Sequence, residues 1–326
     1  VLDLNPYIGH PSQLAGCYRF VYDDGLLKGT QAVEVYNETG LRFTVLLGRG
    51  MDISYAWING QSLVHVGKSG FTSAAYFQNG GNEWNRAFGA GLITTCGLDN
   101  VGPGLDEGRQ IYGNHGLFSS LTAEQAAVER RFIGDEECIE IRGLIRQAAI
   151  FGESFAVHRC IRTYIKKNTI ELEDKLINES FEPRPLFLMY HCNFGYPLLS
   201  EKSRLDFNAE ETVARDEDAA KSLADFKKIL PPTQGFREQV FYHTGVGKVT
   251  LTNYKISVVM SWDKQALPCF TQWNMFGEGD YVLGLEPGNC NPRGRQELLK
   301  SNQAEYLEPG QVKKTFLRFD VITQSI

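Results

Sequence analysis

Apolar and polar residues alternate with a period of two along most of this chain, the spacing of strands whose two faces meet different surroundings. In 138–146, Ile139 and Ile141 fall between polar neighbours Glu140 and Arg142; in 315–321, Leu317, Phe319 and Val321 share one face while Arg318 and Asp320 take the other. Comparable stretches lie at 31–36, 41–47, 155–165, 169–177, 186–191, 249–260, 269–275 and 281–286, and they are rich in Val, Ile, Thr, Tyr and Phe, residues that fit a pleated surface. Asn59-Gly60, Glu38-Thr39-Gly40 and Asn79-Gly80-Gly81 sit where hairpins would close. Helical signals are sparse. Residues 208–229 mix Ala, Glu and Lys and predict a helical turn or two, and Thr122 with Gln125 three residues later gives a weak helix start. Many strands without alternating helices predict an all-β sandwich or barrel. The charged stretch near 205–235 reads as a partly helical insertion in one domain spanning 1–326, because strands of the same character resume after it.

Composition narrows the function. The chain has 326 residues, 42% hydrophobic and 22% charged, enough to bury a sizeable core. Its net charge of −6 argues against a broad phosphate-binding surface, so nucleic acid is not an expected partner. No apolar run reaches the roughly 18 residues of a membrane helix, and the first residues show no basic region followed by an apolar stretch. Seven cysteines, at 17, 96, 138, 160, 192, 269 and 290, form no Cys-x-x-Cys pair and read as reduced thiols, mostly buried, in a cytoplasmic protein.

The usual cofactor signatures are absent: no Gly-x-Gly-x-x-Gly, no Gly-x-x-x-x-Gly-Lys-Ser/Thr, no His-Glu-x-x-His and no Gly-x-Ser-x-Gly. No two of the six histidines lie within five residues of each other, so no local zinc motif exists and no cofactor is expected. Five segments place polar residues in unusual company. His191 follows an apolar run, with Asn193 beyond it and then Gly195 and Pro197. His115 lies in the glycine-flanked loop Tyr112-Gly113-Asn114-His115-Gly116. Glu286 ends the apolar run Tyr281-Val282-Leu283-Gly284-Leu285, where a desolvated carboxyl titrates above its ordinary value of about 4.3, as a general base requires. Asp99 and Asn100 follow Gly97-Leu98, and Arg49 and Asp52 stand around Gly50, placed either to grip a polyol or to pair with each other. Four tryptophans, Trp57, Trp84, Trp262 and Trp273, are core residues or stacking faces for a sugar.

Taken in order, Gly48-Arg49-Gly50-Met51-Asp52-Ile53, Gly91 to Gly102, Asn114-His115-Gly116, Tyr190-His191-Cys192-Asn193-Phe194-Gly195, Leu285-Glu286-Pro287 and Leu307 to Gln311 resemble the galactose mutarotase (aldose 1-epimerase) superfamily, in a divergent aldose 1-epimerase-like branch. The resemblance implies a β-supersandwich, two large antiparallel sheets face to face with a sugar cleft on one concave side. It implies a cofactor-independent isomerase exchanging sugar anomers, with Glu286 as general base, His191 as general acid and His115 on sugar hydroxyls. Asn193, Arg49, Asp52, Asp99, Asn100 and Arg295 complete the expected substrate contacts. The place of the galactose-specific Asn-Arg-Ile segment reads Asp99-Asn100-Val101, which leaves the sugar unspecified. A small sugar is the expected partner, with a homodimer as a further possibility. Two rival readings stay open: a non-catalytic carbohydrate-binding protein on the same scaffold, and a glycosidase or polysaccharide lyase, which needs a second carboxylate near Glu286 such as Asp52 or Asp99.

Overall fold

The computed structural model of the chain describes residues 6–80, 83–108 and 110–323. Among them the strands form antiparallel sheets of five, eight and seven strands and a small two-stranded ribbon, with only three short α-helices, Glu83–Ala87, Glu217–Ala220 and Arg295–Lys300. This is the all-β architecture that the period of two predicts. No helix among the described residues is long and apolar enough to cross a membrane.

The period of two decides what each face does. In the Arg184–Phe194 strand, Leu186, Leu188, Tyr190, Cys192 and Phe194 point into the main core. There they meet Leu172 of Thr169–Asn178 and Leu317 and Phe319 of Val312–Thr323, from the eight-stranded sheet. Phe187 and Met189, on the opposite face, join a second apolar cluster with Cys96, Cys290 and Leu298. The Asp280–Gly288 strand behaves alike: Tyr281, Leu283 and Leu285 are core, so Val282, Gly284 and Glu286 face the other side. The functional cleft therefore opens on the outer face of the seven-stranded sheet, away from the main core.

Several predicted elements change form. The stretch 249–260 is two strands, Lys248–Thr252 and Ile256–Trp262, because the Asn253 side chain accepts hydrogen bonds from the backbone N–H groups of Lys255 and Ile256 and closes a turn between them. The helix start at Thr122 is overridden: Glu124–Ile133 is a strand, since the neighbouring Glu136–Ala148 strand offers it a full antiparallel ladder across the Gly134-Asp135 turn. The charged insertion holds one helical turn, Glu217–Ala220, capped by Asp216, and a 3₁₀ turn, Leu223–Asp225. It also supplies an edge strand to the cleft sheet, Glu211–Ala214, which pairs with Gln239–Thr244. The turn expected at 79–81 lies partly outside the described residues. All seven cysteines are free thiols.

Candidate active site

The sheet register builds the centre of the site. Met189 pairs with Gly288 and Cys192 with Leu285, which sets His191 directly opposite Glu286 on the adjacent strand. Thr271 of Cys269–Gly277 pairs with Glu286 from the other side. Thr94 of Thr94–Leu98 pairs with His191. One transverse row of the sheet thus carries Thr94, His191, Glu286 and Thr271, with cross-strand neighbours roughly 5 Å apart at Cβ. His191 Nε2 and Glu286 Oε1 are 3.2 Å apart, without the alignment of a hydrogen bond, and both side chains are buried.

Aromatic rings enclose this pair. Phe88 meets the His191 ring at 4.8 Å and Trp273 at 5.3 Å, both edge-on. Trp84, from the Glu83–Ala87 helix, stacks on Phe88 at 4.4 Å and lies 4.5 Å from the ring of His115, which is itself 5.9 Å from His191. His115 reaches this position from a loop residue at φ 55°, next to Gly116. The cavity over the row measures about 1030 Å³. Three buried polar atoms of its lining residues have no hydrogen-bond partner among the described residues: Oε1 of Glu286, Nδ1 of His115 and Oγ1 of Thr271. Buried polar atoms left in this state are costly unless a ligand satisfies them.

Burial sets the electrostatics. It pushes the Glu286 carboxyl well above the usual carboxylate range, Glu238 adding to the shift and Arg215 opposing it. It holds the His191 imidazole well below its ordinary value, with His115 adding to the effect, and lowers His115 to about 4. Burial thus disfavours the charged form of both members of the central pair. Among the described residues no group of three or more His, Cys, Asp or Glu side chains converges to hold a metal ion.

The comparisons with known proteins agree with this architecture. The family profile described as "Domain of unknown function (DUF4432)" matches residues 27–321. The chain belongs to the DUF4432 family. A search of curated proteins gives no match. Among solved structures, the DUF4432 chain is similar to a candidate aldose 1-epimerase from Klebsiella pneumoniae at TM-score 0.88 and 20% identity, covering 96% of this chain and 88% of that one. It is also similar to a galactose mutarotase-like protein from Clostridium acetobutylicum, at TM-score 0.64 and 11% identity over 96% of this chain and 100% of the other. A galactose 1-epimerase from Lactobacillus acidophilus gives TM-score 0.63 and 11% identity over 95% and 100%. At these identities the likeness establishes the shared fold.

Of the nine residues the sequence nominated in this DUF4432 protein, Glu286, His191 and His115 line the cavity together and the other six do not. Arg49 spends its guanidinium on the backbone carbonyls of Ser119 and Ala87. Asp52 accepts from the N–H and hydroxyl of Thr95 and from Arg159, a buried arginine held also by Asp174. Asn100 donates to the carbonyls of Gly102, Pro103 and Gly113, and Arg295 donates to the Asp99 carbonyl and lies over the Tyr112 ring. Asp99 is buried, which raises its carboxyl to about 6. Asn193 donates to the Gly91 and His191 carbonyls, one row behind the pair. For Arg49, Asn100, Asn193 and Arg295 the physical reason is shared: buried backbone carbonyls must find donors, and these side chains supply them. Of the tryptophans, Trp84 and Trp273 line the cavity, whereas Trp262 packs on Phe270 in the core and Trp57 stacks on Tyr55.

Sequence reasoning did not single out Thr271, Gly284, Glu238 or Arg215. Glu238 accepts from Trp273 Nε1 at 2.8 Å and from Arg215 at 2.9 Å, fixing the indole on the cleft wall. A Cβ at Gly284 would collide with Oε1 of Glu286 and press on the Trp273 side chain at 3.0 Å. The absence of a side chain there is what lets the carboxyl rest beside the indole.

Proposed function

We propose that this protein is a cofactor-independent aldose mutarotase or epimerase-like enzyme that interconverts sugar anomers by ring opening and closure. The observation that carries the reading is the 3.2 Å approach of His191 Nε2 to Glu286 Oε1 on the floor of a cavity walled by aromatic rings. The two oxygens of a hemiacetal are bonded to the same carbon, so two proton-transfer groups must stand side by side to reach both. In the reaction Glu286 takes the proton of the anomeric hydroxyl while His191 delivers one to the ring oxygen. The carbon–ring oxygen bond breaks, a carbonyl forms at C1, the C1–C2 bond rotates, and the reverse transfers close the other anomer. Each positioned group of this kind contributes about 10²–10⁴-fold.

The pair needs one transferable proton between its members. Burial raises the carboxyl and lowers the imidazole, which favours that proton on Glu286. A sugar hydroxyl donating to Oε1 supplies the partner that atom lacks, which favours the carboxylate and passes the proton to Nε2. His115 and Thr271 then meet neighbouring hydroxyls with their own unpartnered atoms. The glycosidase reading has less support, because Asp52 is bound to Thr95 and Arg159, and of the other carboxylates in the cleft wall Glu238 is held by Trp273 and Arg215 and Asp280 by Lys68.

Exchange-transfer NMR across a panel of aldoses at anomeric equilibrium tests the proposal. Enzyme-dependent exchange between anomeric resonances of at least one sugar supports it; sugar binding with unaltered exchange assigns the scaffold to recognition alone.

A further inference from the structure

The cavity reaches from the central pair along the strands that carry it, as far as Met275, Asp280 and Lys68. Alternate residues of Asp280–Gly288 face it: Glu286, Gly284, Val282 and Asp280. The paired strand supplies the matching rungs, with Thr271 opposite Glu286, Trp273 opposite Gly284, Met275 opposite Val282 and Gly277 opposite Asp280. The seven residues from Glu286 to Asp280 span roughly 20 Å of strand, with about 6.6 Å between successive rungs. The far end is marked by the ion pair of Lys68 with Asp280. On the strands themselves neither Gly288 nor its partner Met189, which turns into the second apolar cluster, lines the cavity, and the remaining wall includes Gly102, Pro103, Asn114 and Pro292.

The chemistry of the rungs changes along this path. The first is polar and carries the unpartnered atoms. The second offers the indole of Trp273, pinned by Glu238 and left uncovered by Gly284, a face of the kind on which pyranose rings stack. The third is apolar, Met275 beside Val282, and the fourth is charged. A volume of about 1030 Å³ lies at the upper end of the range of about 300–1,000 Å³ typical of sites for drug-sized ligands, larger than a single ring requires.

We propose that the substrate is an oligosaccharide or another sugar extended at its non-reducing side, bound with its reducing-end ring on His191 and Glu286, its second ring on Trp273 and its third over Met275 and Val282. The orientation rests on the ring-opening reading of the pair, since only a reducing end carries the hemiacetal; the length of the site does not.

Calorimetric titration of the unmodified protein with glucose, cellobiose and cellotriose, and with galactose, β-1,4-galactobiose and β-1,4-galactotriose, tests the length of the site without requiring turnover. We expect the dissociation constant to fall at least tenfold from monosaccharide to trisaccharide in one of the two series, and Val282→Trp, which fills the third rung, to erase most of the gain from the third ring. Affinity that does not improve with chain length in either series, or a gain that Val282→Trp leaves intact, overturns the proposal. Anomer exchange of monosaccharides with no chain-length gain would sink the extended site while leaving the proposed reaction standing. A chain-length gain without any exchange would do the reverse.

Discussion

His191 and Glu286 stand opposite one another on adjacent antiparallel strands, with Nε2 and Oε1 3.2 Å apart. The ladder that holds the two backbones also holds the two side chains, so their spacing is a property of the sheet and not of a mobile loop. Ring opening needs this arrangement, because a pair placed an ångström further apart loses simultaneous reach to both oxygens.

The pair should act as a unit. His191→Gln is expected to lower the maximal exchange rate by about 10²–10⁴-fold. Combined with Glu286→Gln it should cost little more than the worse single change, since either substitution alone breaks the proton circuit. Initial rates from freshly dissolved single anomers measure this, and additive losses would mean that the residues act separately.

Gly284 should be needed for rate and not for folding. Gly284→Ala places a methyl group against Oε1 of Glu286 and the Trp273 side chain, so exchange should drop at least tenfold while the thermal midpoint moves little. Trp273→Leu, by contrast, should raise KM about tenfold, the loss of roughly 1.4 kcal/mol of stacking. Steady-state kinetics on both variants separates placement of the carboxyl from grip on the sugar.

Acid should unfold the protein by way of its histidines. Burial lowers His115 and His243 to about 4 and holds His191 well below its ordinary value, so the unfolded chain binds protons that the folded chain refuses. The stability involved is intact above an unfolded histidine value of about 6.5 and is lost as pH falls from there towards about 4, costing on the order of 2 kcal/mol for each of His115 and His243 at pH 5. Melting curves from pH 7 to 5 should show this fall, and His243→Leu should flatten it. Glu286 has the opposite sign: its raised carboxyl keeps a proton that the unfolded chain releases, so it weakens the fold as pH rises above the ordinary carboxylate range. Glu286→Gln should therefore raise the melting temperature at pH 7 and leave it nearly unchanged at pH 4.

Much of this was legible in the chain. Period-two patterning gave the strands, and the oddity of a carboxylate and an imidazole ending apolar runs pointed to Glu286 and His191. Asp52 shows where such reasoning overreaches: a polar residue between glycines looks like a ligand, yet its carboxylate serves Thr95 and the buried Arg159, which also holds Asp174 and through it Tyr190. Trp273 shows what it could have found. The two-residue turn at Glu278-Gly279, with Gly279 at φ 77°, fixes the hairpin register, and counting back from it sets Thr271 beside Glu286 and Trp273 beside Gly284. Glu238 and Arg215 had no such local signal, because their approach depends on an edge strand added from the charged insertion.

The Asp52 network supplies its own test. Arg159→Met leaves two buried carboxylates without their cation and should cost about 3–5 kcal/mol in denaturant unfolding. Asp52→Asn should likewise lower the unfolding midpoint while leaving KM within about twofold, the opposite of what a sugar ligand would do.

The most direct measurement is the decay of optical rotation after a pure anomer is dissolved with the protein or with its Glu286→Gln variant, using whichever sugar the NMR panel selects. The account predicts a rate far above the spontaneous one for the unmodified protein and a fall of at least a hundredfold in the catalysed part for the variant. Equal catalysed rates for the two would contradict it.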